Sequence, residues 1–198
     1  MTTCRSGKEH KQATRQRIIE TVGRRFKRDG IDGSGIATLM ADAGLTSGAF
    51  YAHFASKDDL VATAVADQVR AQYANVIEQA APGIAGVEQI GRWYLSPQHR
   101  DTPEDGCPSA ALLDELGRSA DGTRQAYTDG VRAVIDGIAA RLAPADPYSV
   151  RTNTLSVYAM MVGTPQLARA LADQRLSGEI LDEGIRNALT QLGAPASC

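Results

Sequence analysis

Aromatic rings are scarce in this 198-residue chain, which has three Phe, six Tyr and one Trp. Cysteine is scarcer still. Cys4, Cys107 and Cys198 are odd in number and far apart, which excludes a disulfide framework. No CxxC pair or Cys/His cluster offers a zinc site. Three scattered histidines cannot be assembled by spacing into a metal or catalytic constellation. No apolar run approaches the roughly 18 residues of a membrane span. The opening MTTCRSGKEHKQATRQR lacks the apolar core of a secretory signal. A cytoplasmic protein without a metal or cofactor is therefore expected. GSGIAT at 33–38 begins like a dinucleotide fingerprint, but Thr38 takes the final glycine position and no strand precedes it. An enzyme reading has no site to stand on. Strand-like alternation and repeats of fixed period are also missing.

Basic charge is present, but unevenly placed. Residues 1–60 hold ten Lys/Arg against seven Asp/Glu, a balance of +3. Residues 61–198 hold eleven against sixteen, a balance of −5. A basic N-terminal region before an acidic body points to a polyanionic partner for the former or to a solvated face. Ile18, Val22 and Phe26 repeat at helical spacing, and Gly30 can close their helix in the left-handed conformation. Ser34 is expected to cap a short helix carrying Ile36, Leu39, Met40 and Ala43, which Gly44 breaks. Thr46 is expected to cap a third helix ending at Phe54, and Ser56-Lys57-Asp58-Asp59 has the capping-box pattern for a long fourth one. Further helices are expected near 87–95, 108–118, 122–142, 148–174 and 177–192, the last capped by Ser177. The chain thus reads as all-α with about nine helices. A three-helix unit spans residues 1–58, with 1–9 as a disordered arm, and a helical body follows over 59–198.

Three of the ten Phe, Tyr and Trp rings fall within GLTSGAFYAHFASK at 44–57. Two short helices separated by Ala43-Gly44-Leu45-Thr46 have the arrangement of a helix-turn-helix, whose second helix enters the DNA major groove N-terminus first. Ser47, Gly48 and Ala49 are small, which permits close approach to base edges, and the helix start favours phosphate. Phe50 and Phe54, four apart, are expected to pack on Leu39, Ile18, Val22 and Phe26. Tyr51 points about a hundred degrees away, so its hydroxyl is free to reach phosphate. His53 and Lys57 offer cationic donors to the same backbone. Arg5, Lys8, Lys11 and Arg15 form either a phosphate-seeking arm or a solvated tail.

The segment TRQRIIETVGRRFKRDGIDGSGIATLMADAGLTSGAFYAHFASKDDLV, residues 14–61, resembles the N-terminal domain of the TetR family of transcriptional regulators. MMVGTPQLARALADQRLSGEIL resembles that family's dimerising C-terminal helices, and GCPSAALLDELGR a segment of some of its ligand-binding domains. The resemblance implies a homodimer joined through its last two helices, bound to a near-palindromic double-stranded operator and released by a small-molecule effector. Its usual DNA contacts fall on Thr46, Ser47, Gly48, Ala49, Tyr51, His53 and Lys57, with Ser34, Ala37 and Thr38 from the preceding helix. Ala37 stands where some relatives carry a guanine-reading arginine, which thins direct readout there. Met40 replaces a position that is often small. Pro165 is expected to kink or break a helix that relatives continue.

For the effector, Trp93, Tyr94, Tyr127, Tyr158, Met160 and Met161 are candidate pocket residues, of which Trp93, Tyr127, Tyr158 and Met161 are retained. Cys107 is either a small buried hydrophobe or a sensor of oxidants and electrophiles. Pro108 would start a helix whose N-terminus favours the thiolate.

Overall fold

The computed structural model describes residues 3–193, with side chains from residue 7 onward; Cys198 and the side chains of Cys4 and Arg5 lie outside this description. The described backbone holds nine α-helices and no strand. None of the helices is long and apolar enough to cross a membrane.

Helix α1 runs Thr3–Asp29 and so takes in residues 3–9, expected as an arm. Gly30 follows at φ 83°, and its N–H donates to the Phe26 carbonyl at 2.8 Å, closing the helix as its sequence implies. Helix α2 is Ile36–Asp42, and its N-cap is Gly35 rather than Ser34. Ser34 is instead fully buried and donates to the Gly30 carbonyl at 3.2 Å. Gly44, at φ 71°, turns the chain after α2. A single 3-10 segment, Ser47–Ala52, stands where a longer helix is expected.

Helix α3, Lys57–Gln72, starts as the capping-box pattern requires. The Ser56 hydroxyl accepts from the Asp59 N–H at 3.1 Å, and the Asp59 carboxylate accepts from the Ala55 N–H at 3.0 Å. It passes into a π turn over Tyr73–Ile77. Next come α4 (Ile84–Tyr94), α5 (Pro97–Asp101), α6 (Pro108–Arg118) and α7 (Asp121–Leu142). Helices α8 (Arg151–Ala170) and α9 (Gln174–Gln191) close the described chain. Pro165 lies buried within α8, which continues past it for five residues, so the expected break is absent. Helix α8 packs against α9, and Pro165 supplies no backbone donor to its ladder. Asp173, not Ser177, caps α9, accepting from the Arg175 and Leu176 N–H groups at 2.9 and 3.1 Å. Ser177 is buried and donates to the Ala168 carbonyl at 2.7 Å.

Two apolar cores result. The first joins Ile18, Val22 and Phe26 of α1 with Leu39 and Met40, Phe50 and Phe54, and Leu60 to Val65 of α3. Leu112 and Leu116 of α6 complete it. The second lies among the end of α3, α4, the start of α6, and α7 to α9. Helices α3 and α6 therefore each belong to both cores. Two glycines of α7 lie against the end of α3 and the π turn that follows it. A Cβ on Gly130 would sit 2.6 Å from Val69, and one on Gly137 2.4 Å from the Tyr73 ring.

Candidate DNA-facing turn and effector cavity

The Ser47–Ala52 turn is anchored from below. Phe50 is fully buried and Phe54 nearly so, and both sit in the first core with the residues expected to receive them. Burying each such ring contributes roughly 1.5–3 kcal/mol. Above them Thr46, Ser47, Gly48 and Tyr51 are exposed, Tyr51 at 74%. Thr38 is exposed on α2 and Ala49 is half-buried. A Cβ on Gly48 would meet nothing nearer than the Thr46 hydroxyl at 4.0 Å. Nothing within the chain demands a glycine there.

Three expected contacts stand differently. Ser34 is buried and its hydroxyl is engaged by the Gly30 carbonyl. Lys57 donates to the Ile31 carbonyl at 2.9 Å and pins the turn after α1. His53 is half-buried and its Nδ1 has no partner. Desolvation, then the charges of Lys11 and Arg15, lower its pKa below the ordinary histidine value and so favour the neutral ring. The same influence places Lys11 and Arg15 beside the turn, and Arg15 covers the Phe54 ring at 4.7 Å.

In the body, a cavity of about 20 Å³ lies inside the second core. Val69 and Gln72 of α3, Val76 and Ile77 of the π turn, and Ile90 and Tyr94 of α4 form one side. Cys107 and Ser109 at the start of α6, Val134 and Ile138 of α7, and Tyr158 and Met161 of α8 form the other. Of the expected residues, Cys107, Tyr158 and Met161 are therefore brought together. Tyr127 joins them indirectly, donating to the Ser109 hydroxyl at 2.8 Å, while Ser109 and Tyr158 share a hydrogen bond of 2.9 Å. Trp93 does not line the cavity. It is 38% exposed, lies 5.0 Å from the His99 ring and borders an outer cleft with Arg24 and Lys27. Its neighbour Tyr94 takes the inward place. Val87, Ile90 and Tyr94 share one helical face, and that spacing is the signal that distinguishes the two rings.

Cys107 is 4% exposed and occupies the N-cap position of α6. Its backbone N–H donates to His99 Nε2 at 2.9 Å. The preceding carbonyl, of Gly106, accepts from Lys27 of α1 at 2.9 Å, and Arg24 pairs with Asp105. Further along α6, the Glu115 carboxylate accepts from the Ile31 and Asp32 N–H groups at 2.6 and 3.2 Å. The helix that walls the cavity and the loop leading into it are thus tied at three places, Asp105, Gly106 and Glu115, to the unit carrying the exposed turn. Burial raises the pKa of Tyr94, Tyr127 and Tyr158 above the ordinary phenol value, so all three hydroxyls keep their protons.

Residues 18–64 match the family model described as bacterial regulatory proteins, tetR family. That match covers the N-terminal unit, about a quarter of the chain. The HTH-type transcriptional regulator AcrR of Shigella flexneri is 38% identical over 56 residues, 28% of this chain and 26% of that protein. The likeness to this curated relative thus spans about a quarter of its length. The reduced form of Escherichia coli NemR is similar in fold, with a TM-score of 0.78, 19% identity, and coverage of 93% of this chain and 100% of that one. Bacillus subtilis FadR in complex with stearoyl-CoA matches with a TM-score of 0.62 and 14% identity over 86% and 97% of the two chains. At these identities the structural likenesses establish the TetR fold for the body as well as the head. The family match and the fold are both those of bacterial regulatory proteins.

Proposed function

We propose that this chain is a TetR-family repressor that binds a near-palindromic operator as a homodimer and lets go when a small molecule enters the body cavity. The observation that carries the reading is the exposed, side-chain-poor turn Thr46–Tyr51 held over buried Phe50 and Phe54. Thr46, Ser47, Gly48 and Ala49 would meet base edges, with Thr38 and the Tyr51 hydroxyl on the backbone. Lys11 and Arg15 extend the basic face beside the turn. Lys57 would reach phosphate only with a proton not already donated to Ile31. A cytoplasmic residence belongs to the same reading.

Dimerisation is assigned to α8 and α9, where Leu155, Leu167 and Leu176 are 41%, 54% and 42% exposed. Their burial would close a four-helix interface and set two DNA-facing turns for successive major grooves. The effector would favour a conformation in which α6 and α3 shift the head, and it can do so only by binding the two conformations unequally. A ligand-bound neighbour, FadR in complex with stearoyl-CoA, supports ligand binding by this fold.

A mobility shift with the DNA flanking the gene, measured across a salt series, tests the reading. Salt-sensitive, saturable binding of a dimer is expected; a monomer, or no preference over random DNA, refutes it. A second reading is favoured by the placement of Cys107 at the start of α6 and on the cavity wall: oxidation or alkylation of the thiol would itself drive release. Cys107→Ser should then hold DNA under oxidant, and a variant that still lets go removes the thiol from the mechanism.

A further inference from the structure

Resting on the effector-cavity reading, we infer that the molecule it admits is uncharged, mostly apolar, and presents a hydrogen-bond acceptor such as a carbonyl oxygen to the Tyr94 hydroxyl. Tyr94 is 4% exposed, and its hydroxyl is buried without a hydrogen-bond partner among the described residues. It lies beside the Cys107 thiol but meets it without hydrogen-bonding geometry. A buried hydroxyl left unpaired costs free energy, which a ligand acceptor at this point would recover.

A second donor group lies across the cavity. Tyr127 donates to Ser109, and Ser109 and Tyr158 share one further bond. Tyr127 and Tyr158 also act on each other as hydrogen-bonding neighbours. A ligand acceptor on this side therefore competes with bonds inside the cluster, whereas Tyr94 offers a proton with no partner among the described residues. Tyr94 and Tyr158 keep their protons because burial disfavours the phenolates.

Charge on the ligand is excluded by what the wall lacks. None of the lining residues is Asp, Glu, Lys or Arg, and apart from hydroxyls and a thiol the polar groups reduce to the Gln72 amide. An ion entering here would lose its hydration with no counter-charge to replace it. Size is set by movement. A space of about 20 Å³ holds little more than one water, so any organic ligand must displace a wall. The π turn, with Val76 and Ile77 facing the cavity, is the segment whose backbone already departs from the α-helical ladder. Moving it moves the end of α3, the helix that also enters the head core.

The test uses the full-length protein carrying Cys107→Ala, so that addition to the thiol cannot contribute and no new hydroxyl meets Tyr94. Trp93, the single tryptophan, has its ring 6.1 Å from that of Tyr94 and supplies the fluorescence signal. Acetophenone, ethylbenzene, benzoate and benzylammonium are titrated as size-matched probes, with calorimetry as the second readout. Acetophenone is expected to bind about 5–10-fold more tightly than ethylbenzene, and the two ions not to saturate. Tyr94→Phe should bring acetophenone down towards ethylbenzene and leave ethylbenzene unchanged, with Tyr158→Phe as a second, smaller reduction. Benzoate binding as well as acetophenone, or a ketone preference that survives both substitutions, overturns the inferred chemistry alone. Saturable binding by none of the four overturns the effector cavity itself.

Discussion

Replacing Lys27 with methionine isolates the cost of a buried charge at the junction of head and body. Lys27 is 7% exposed, and its amine donates to the Gly106 carbonyl. Burial is the main reason its pKa falls from 10.5 to about 8; Cys107 opposes the fall, Arg24 adds to it, and Asp105 and Glu104 oppose it. His99 feels the same charge from the other side. At 1.36 kcal/mol per unit, the protonated amine destabilises the fold by about 3 kcal/mol. Below pH 8 both folded and unfolded chains hold the proton, and this cost is constant. Between about pH 8 and 10.5 the unfolded chain binds more protons, so stability rises with pH. From about pH 7.5 to 9.5 the wild-type chain should recover about 2 kcal/mol relative to Lys27→Met. Urea unfolding of both proteins at several pH values measures the difference, and the subtraction removes tyrosine titration common to both. Parallel stability curves would show that Lys27 is not held in the folded state as described.

Gly48→Ala should leave stability within about 0.5 kcal/mol and weaken DNA binding at least several-fold, since open space surrounds the position in the free protein. Unchanged affinity in a mobility shift would remove the turn's leading end from the interface. Leu116→Ala empties a 2%-exposed site where α6 enters the head core and should cost about 2–5 kcal/mol in urea unfolding. A loss below about 1 kcal/mol would mean α6 is not integral to that core. Tyr51→Phe should reduce affinity without changing the melting temperature, whereas Lys57→Met should lower the melting temperature through loss of its bond to Ile31. The reverse pattern would exchange the roles given to these two residues.

The head was legible because its determinants are local. Phe50 and Phe54 lie one helical turn apart, Gly30 and Gly44 mark left-handed turns, and Ser56 with Asp59 forms its cap from neighbours in sequence. Ser34 and Ser177 show where local reasoning fails. Each has the composition of a cap, yet each is buried where a carbonyl accepts its hydroxyl, and the caps pass to Gly35 and Asp173. Trp93 and Tyr94 are adjacent, so their assignment to outside and inside depended on the helical face, and that face was readable from Val87 and Ile90. Lys27 was not readable at all. It belongs to a cluster of basic residues, and its burial depends on a loop 79 positions further along. The same distance in sequence hid the double membership of α6, whose first turn walls the cavity while its last turns pack under the DNA-facing unit.

Gly130 and Gly137 are two notches in α7, seven residues apart, into which Val69 and Tyr73 fit. Helix α3 spans 16 residues and is therefore about 24 Å long. Pivoting it by about 5° at the notched end would carry the other end sideways by about 2 Å. In the proposed dimer, the reach between paired heads would accordingly depend on the depth of two gaps in a helix of the body.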